Sequence, residues 1–378
     1  MIKLMKTMLL LAITAVVALT SCSQDVTLED VIAKTEPRQE IEFHLDMQSR
    51  ATDRTINNLD TIWVYADDGL NIVFETTPFI KDEYGRFLPE EKIYWPDSLA
   101  KINFTAFWPN PKLLEITTLP GQTTVNYSMP VTSDHHFDLI SANTTIEKVK
   151  YSKGIPLSFA HVFAQIEFRA KIEESATHSL EIYAIGVSRL KQYGVFNLST
   201  NDWKIGNQTS NCYAFPDKVF TVKQEALSMT DKTGPMYVIP QMLQSNVYNA
   251  SPAVTGRSYL ILYLKAFDEN ANLFYPLEEW KNDEQLSASR IAPKTTVDRF
   301  MEYRNLEGCG VTLSAVLDND MQLLAGHKYI ITIDFTNGIG YFNGNDPEKP
   351  TQPVIPNAFN AYVSVEEWSS TDIDQDSN

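Results

Sequence analysis

Apolar and polar residues alternate in many short runs along this chain. In the clearest run, residues 41–48, every second position is apolar: Ile41, Phe43, Leu45 and Met47. An alternation with a period of two predicts a strand that buries one of its faces. Apolar or alternating runs of the same kind recur at residues 61–65, 101–108, 162–169, 180–185, 235–239, 259–267, 328–335 and 361–365.

Turn-forming residues separate these runs, as in Asp67-Asp68-Gly69 and Pro120-Gly121. A helical period is confined to two short segments, residues 27–34 and 282–290. Many short strands joined by turns are typical of β-sandwiches rather than of a parallel α/β sheet. The pattern therefore predicts an all-β protein.

The chain has 378 residues, which is long for one β-sandwich, so we predict two in tandem. The polar stretch 173–179 is the best candidate for the boundary. The predicted domains are residues 22–175 and 176–378. The polar, acidic end from residue 369 to residue 378 is expected to fray.

The first 21 residues have the pattern of a signal peptide. Lys3 and Lys6 precede an apolar run from Met8 to Leu19, which is shorter than the ~20 residues of a membrane-spanning helix. The next residues, Leu19-Thr20-Ser21-Cys22, resemble a bacterial lipobox, in which the Cys is lipidated and the chain is cut before it. We expect an exported protein that starts at Cys22 and is tethered by lipid. The alternative is an ordinary cleaved signal peptide followed by a chance Cys.

Charge and motifs exclude several functions. The formal net charge is −17, whereas a protein that neutralises nucleic-acid phosphates needs a basic surface. The sequence contains no Gly-x-Ser-x-Gly, no Gly-rich loop ending in Gly-Lys-Ser/Thr and no His-Glu-x-x-His. Neighbours on a strand point to opposite faces, so His135 and His136 would not bind one metal ion there. We expect both histidines in a solvated loop. We predict no catalytic residue, no cofactor, no metal and no nucleic-acid partner.

Cysteines and tryptophans leave alternatives open. Cys212 and Cys309 could form a disulfide in an exported protein or remain two buried free thiols. Trp95, Trp108 and Trp203 could form a platform on which a sugar stacks, or they could pack in the core or at its rim.

A family resemblance rests on motifs spread over nearly the whole chain. In chain order they are Cys22, the strand Ile41 to Met47 followed by Ser49-Arg50-Ala51, Tyr94-Trp95-Pro96 with Phe104-Thr-Ala-Phe-Trp-Pro109, Asp138-Leu139-Ile140, the segment from Phe159 through His161 to Phe168, Gly326-His327-Lys328-Tyr329, and Val363-Ser-Val-Glu-Glu-Trp368. Together they resemble the fimbrillin family of Bacteroidales, the subunits of type V pili. Each motif is weak alone, whereas their order and spacing are specific.

The resemblance implies a fold and a mechanism. The fold is two tandem transthyretin-like, Ig-like Greek-key β-sandwich domains, with the first strand at about residues 41–48. The lipoprotein precursor reaches the cell outer membrane through its lipid on Cys22, and an Arg-specific protease cuts between Arg50 and Ala51, with Arg54 as a nearby alternative. Loss of the first strand opens a groove that a strand from a neighbouring subunit fills. The groove positions are Ile41, Phe43, Leu45 and Met47. The alternative is that this strand is a permanent part of the first domain.

The same resemblance implies the partners and the location. They are other pilus subunits, outer-membrane lipid, and a host or bacterial surface protein or glycan. The residues after Trp368 would make a poor donor strand, which favours a tip or accessory subunit over a stalk subunit. The main alternative is a surface glycan-binding lipoprotein of a nutrient-uptake system, which exposed Trp95, Trp108 or Trp203 would favour. An enzyme is the third alternative, and it would need a cleft with convergent carboxylates.

Overall fold

The computed structural model describes residues 38–45, 58–148, 154–216, 220–229, 234–244, 258–276, 306, 308–315, 320–342 and 360–367. In these ranges the helical elements are two three-residue 3-10 helices, Pro111–Leu113 and Ser133–His135, and the other regular elements are β-strands. The all-β prediction is confirmed. The predicted helical segments 27–34 and 282–290 lie outside the described residues. Among the described residues, no helix has the length and apolar character needed to cross a membrane.

An eight-stranded sheet uses only strands from the first 161 residues. Its order is β10-β8-β5-β2-β3-β4-β1-β9, and its neighbours are antiparallel except β1 and β9, which are parallel. The strands are β1 (Phe43–Leu45), β2 (Thr61–Asp67), β3 (Ile72–Lys81), β4 (Arg86–Pro89), β5 (Lys101–Trp108), β8 (Ile140–Glu147), β9 (Ile155–Leu157) and β10 (Ala160–His161).

Two larger sheets hold most of the later strands. A five-stranded sheet is formed by β11 (Ala164–Lys171), β17 (Leu227–Ser228), β18 (Met236–Val238), β24 (His327–Asp334) and β26 (Asn360–Glu367). A seven-stranded sheet is formed by β12 (His178–Lys191), β15 (Thr209–Ala214), β16 (Phe220–Thr221), β20 (Tyr259–Asp268), β21 (Leu273–Tyr275), β22 (Gly310–Ala315) and β25 (Tyr341–Phe342).

Two smaller sheets complete the described fold. A four-stranded sheet has the order β14-β13-β7-β6, and β19 pairs antiparallel with β23 in a two-stranded sheet. These strands are β6 (Glu115–Leu119), β7 (Gln122–Ser128), β13 (Tyr193–Asn197), β14 (Asp202–Ile205), β19 (Met242–Leu243) and β23 (Met321–Gln322).

The buried apolar side chains form two main cores. The first core takes its members from residues 41–159 and includes Phe43, Phe79 and Phe104. The second core takes its members from residues 107–339 and collects side chains of the four-, five- and seven-stranded sheets. Alternation along β5 explains how the two cores meet, because Phe104 faces the first core and Phe107 faces the second.

Backbone pairing crosses the predicted boundary between residues 175 and 176. Strand β11 lies before that boundary, and it pairs in parallel with β24 over seven residues from Gln165 to Lys171. Strand β7 likewise pairs with β13. The boundary stays a prediction, and this pairing fits more easily with a boundary before β11.

Candidate functional site

Strand β1 lies between two other strands, although it is the first strand of the described chain. It pairs antiparallel with β4, where Phe43 faces Phe87, and parallel with β9, where Phe43 faces Ile155. The residues before β1 continue the pairing, since the Ile41 N–H donates to Ile93 O at 2.9 Å and the Trp95 N–H donates to Gln39 O at 2.8 Å. Segment 38–45 therefore closes a gap between β4 and β9.

The apolar side of this segment faces the first core. Ile41 and Phe43 are buried, and the half-buried Leu45 packs against the same core. The Phe43 ring makes edge-to-face contacts with Phe79 and Phe104, at centroid distances of 4.9 and 5.2 Å. Aromatic pairs in this geometry stabilise beyond the burial of their area. The fourth predicted groove residue, Met47, lies outside the described residues.

The polar side of the segment carries an ion pair to β4. Glu42 accepts a 3.3 Å contact from Arg86, whose guanidinium also contacts Asp82 at 2.8 Å. On the opposite side, the Ile155 N–H donates to Glu42 O at 2.7 Å. Glu42 thus links β1 to β4 through its side chain and to β9 through its backbone.

Gly154 allows β9 to approach β1 closely. Its φ is +90°, a conformation that L side chains rarely adopt, and an added Cβ would lie 3.0 Å from Glu42 O. Only glycine therefore fits here without a shift of the backbone.

Three further predicted site residues, Cys22, Arg50 and Ala51, lie outside the described residues. Arg50 and Ala51 belong to segment 46–57, which connects β1 to the chain leading into β2. A single cut in this segment separates β1 from everything that follows it.

The three tryptophans do not form one exposed platform. Trp95 is 2% exposed, and its indole N–H donates to Leu99 O at 2.6 Å. Trp108 is half-buried against the first core. Trp203 is half-buried against the second core, and its indole N–H donates to Val162 O at 3.2 Å. The buried Trp95 ring offers no face to a sugar in this structure.

Cys212 and Cys309 are buried free thiols and do not form a disulfide. Burial raises the pKa of Cys309 to about 12 and raises the pKa of Cys212 well above its ordinary value. Such thiols stay protonated at neutral pH, so neither has the reactivity of a nucleophilic cysteine. Within the described residues, no cluster of three or more His, Cys, Asp or Glu side chains is arranged to hold a metal ion.

Two residues from separate sequence motifs meet in a buried pair. His161 Nδ1 lies 2.8 Å from Asp138 Oδ2, and both side chains are almost fully buried. Strands β8 and β10 bring them together, since Ile140 pairs with His161. Each residue belongs to a sequence motif, but neither motif predicts this contact.

His136 was expected in a solvated loop, and this expectation is wrong. Its Nδ1 accepts the Tyr237 N–H at 2.9 Å, and its Nε2 donates to Pro130 O at 2.9 Å. Burial lowers the pKa of His136 to about 4, although the hydrogen bond to Pro130 O acts in the opposite direction and raises the pKa. Loop residues before β8 are thereby fixed to β18. A pair of adjacent histidines carries no signal that would have predicted this.

A fimbrillin-like family model matches residues 49–346, which is more than half of the chain. Solved structures are also similar: a fimbrial protein from Bacteroides vulgatus (12% identity, 88% of this chain and 100% of that chain, TM-score 0.48) and a candidate cell adhesion protein from Bacteroides uniformis (15% identity, 89% and 99%, TM-score 0.47). No curated protein matches the chain.

The family match over residues 49–346 carries the assignment. It confirms the resemblance inferred from the motifs, and it agrees with the prediction that the chain is not an enzyme. The chain belongs to the fimbrillin-like family, whose members are non-enzymatic structural proteins.

Proposed function

We propose that this protein is a fimbrial subunit that is exported as a lipoprotein and activated by removal of its first strand. Cys22 carries the lipid in the outer membrane, and an Arg-specific protease cuts after Arg50. The observation that carries the proposal is the position of β1. It is an interior strand of the eight-stranded sheet, and it lies at the N-terminal side of the cut.

Removal of β1 leaves a slot that another strand can fill. The backbone groups of β4 and β9 that now pair with β1 lose their partners, and the contacts of Phe79 and Phe104 with Phe43 are lost. Each buried apolar side chain contributes ~1.5–3 kcal/mol, so an empty slot is costly. An unpaired strand edge above an apolar groove is a template for an added strand. A donor strand with apolar residues at alternate positions restores both kinds of contact.

We further propose that the chain contains two transthyretin-like β-sandwich units in tandem. Support comes from β1 and β11, the first strands of the eight- and five-stranded sheets in chain order. Strand β11 contains the triplet Ile-Glu-Phe at residues 166–168, and the same triplet at residues 41–43 leads into β1 and ends on its first residue. Each also lies between an antiparallel neighbour and a parallel one, β4 and β9 in the first case and β18 and β24 in the second.

We propose a tip or accessory position in the fimbria, and the pairing of strand β26 supports it. Strand β26 pairs with β24 over eight residues, so it is part of its own subunit's sheet and not a free donor strand. The alternative function, glycan uptake through a tryptophan platform, is not favoured, because Trp95 is buried and the Trp203 N–H is bonded within the protein.

Substitution at the predicted cleavage site tests the proposal. In the native host, Arg50→Ala should abolish high-molecular-weight assemblies and leave full-length lipoprotein, because β1 stays in its slot. Arg54→Ala is the matched control, and the double variant covers the use of Arg54 as the second site. The measurement is immunoblotting of surface fractions without heating. Assembly of the double variant at the level of the unmodified protein would overturn the proposal.

A further inference from the structure

Polar side chains cover one face of the three central strands β2, β5 and β8. In register across these strands, Asp67 pairs with Asn103 and Asn103 pairs with Thr145. Two residues along each strand, Thr105 pairs with Asn143. Side chains two residues apart lie on the same face of a sheet, so these five share one surface. The opposite face carries the apolar residues of the first core.

A cavity of about 180 Å³ lies over this polar face. Its walls include the five residues of β2, β5 and β8 together with Ser199, which follows β13. Ser199 Oγ accepts the Thr123 N–H at 3.0 Å and so holds this wall against β7. The cavity opens to the surface, since Thr145 is exposed.

Asp67 presents a free acceptor to this cavity. The residue is 2% exposed, and its Oδ1 accepts both the Gly69 N–H at 2.7 Å and the Asn103 Nδ2–H at 2.9 Å. Among the described residues, no group donates a hydrogen bond to its Oδ2. Oδ2 is not one of the buried polar atoms that lack a partner, so it is accessible from the cavity, where a ligand hydroxyl can replace water as its donor.

Asn143 presents a second free acceptor. Its Nδ2 donates to Asn201 Oδ1 at 3.1 Å, whereas its buried Oδ1 has no hydrogen-bond partner within the described part of the chain. A buried polar network that is only partly satisfied is less stable than an apolar surface of the same shape. The two open acceptors therefore indicate a ligand that brings hydrogen-bond donors.

We propose that this cavity binds one ring of a neutral glycan through Asp67 and Asn143. Sugar hydroxyls donate to Asp67 Oδ2, and to Asn143 Oδ1 once its side chain turns toward the cavity. The hydroxyls of Thr105 and Ser199 can donate or accept, whereas the Thr145 hydroxyl, which donates to Asn103 Oδ1 at 2.9 Å, can accept. An anion does not fit, because the described lining contains a carboxylate and no Lys, Arg or His. Calcium takes about six to eight oxygens, commonly with several carboxylates, and this lining has one. The site is separate from the slot between β4 and β9, and it gives the fimbrial surface a place to bind a glycan.

Binding of methyl glycosides by the purified chain tests this proposal. The probes are the neutral methyl glycosides of glucose, galactose, mannose, fucose and N-acetylglucosamine, with sialyllactose and CaCl2 as comparison ligands, followed by saturation-transfer NMR and titration calorimetry. We expect at least one neutral glycoside to bind. Asp67→Asn should weaken it about ten- to a hundredfold, because the Oδ1 bonds persist while the free charged acceptor becomes a donor.

Two further variants keep the outcome decisive. Asp68→Asn is the matched control, because Asp68 lies next in the chain, is exposed and is outside the cavity lining, and it should bind as the unmodified protein does. Thr105→Val removes one hydroxyl at constant shape and should weaken binding severalfold. It provides the test if Asp67→Asn fails to fold. The proposal is overturned if no neutral glycoside binds, if Asp67→Asn and Thr105→Val bind as tightly as the control, or if CaCl2 alone binds in an Asp67-dependent manner.

Discussion

His136 shows how one side chain can fix a loop against a distant strand. Both of its ring nitrogens are bonded, one to the Tyr237 N–H and the other to Pro130 O. These bonds require the neutral ring with its proton on Nε2, and burial lowers the pKa to about 4 from the ordinary value of 6.5. The folded state therefore resists protonation more than the unfolded state does.

The stability of the protein should fall in acid because of this histidine. Above pH ~6.5 the ring is neutral in both states, and below it the unfolded state takes up a proton first. Between about pH 6.5 and 4, the free energy of unfolding should decrease by about 2–3 kcal/mol through His136. The measurement is urea unfolding at several pH values. His136→Gln should lose this part of the pH dependence, and the more exposed neighbour variant His135→Gln should keep it. Equal pH profiles for the two variants would contradict the assignment.

Phe43 should contribute more to the stability of the uncleaved chain than an exposed side chain of similar character. It is fully buried between Phe79 and Phe104. Phe43→Ala should lower the free energy of unfolding by about 3–5 kcal/mol, because it removes these contacts and leaves a cavity. Leu70 is 84% exposed, so Leu70→Ala is the control and should change stability by less than ~0.5 kcal/mol. A loss at Phe43 no larger than at Leu70 would show that β1 does not occupy the slot in solution.

Residue patterns predicted buried apolar positions better than buried polar ones. Ile41 and Phe43 were predicted from alternation, and both are buried. The contacts of His136 and of Asp138 with His161 join residues that are distant in sequence, so no local period reveals them. No local period reveals the proximity of Asp67 and Asn143 either, because they line one cavity only through the order of strands in the sheet.

At the scale of elements, the longer apolar or alternating runs predicted strands well. The predicted runs at 101–108, 259–267 and 328–335 correspond to Lys101–Trp108, Tyr259–Asp268 and His327–Asp334. Several strands lie outside the predicted runs, among them β3, β7, β8 and β13. In β7 and β8, Thr and Asn fill positions where an apolar residue would have marked a buried face. In β8 those residues belong to the polar cavity, so the departure from the pattern coincides with the candidate glycan site.

Exchange of β1 should be reproducible with a synthetic peptide. A chain that starts at Ala51 lacks the partner of β4 and β9, so it should have a lower Tm than the full chain. A peptide of residues 38–48 should raise that Tm, because it restores the backbone pairing and the Phe43 contacts. The measurement is thermal unfolding with increasing peptide.

The matched control is the same peptide with Phe43→Asp, which should not raise the Tm, because a carboxylate cannot enter the apolar slot without a large cost. If the chain from Ala51 is as stable as the full chain, or if both peptides act alike, β1 is not an exchangeable strand.

At the scale of the whole molecule, composition and turn signals predicted the fold class but not the connections between sheets. The parallel pairing of β11 with β24 joins residues about 160 positions apart, counting from Gln165 to Lys328, and nothing local in either strand indicates its partner. A boundary placed at the most polar stretch therefore separated two strands that pair. The family resemblance, which rests on the order of motifs over nearly the whole chain, predicted the family that the match over residues 49–346 confirms.

The central claim is that cleavage after Arg50 converts a lipoprotein into a subunit that accepts a donor strand. The most direct test is the intact mass and N-terminal sequence of the protein sheared from its native cell surface. The proposed mechanism predicts a chain that starts at Ala51 within high-molecular-weight assemblies that heat dissociates. A chain that starts at a lipidated Cys22 and stays monomeric in the membrane fraction would contradict it.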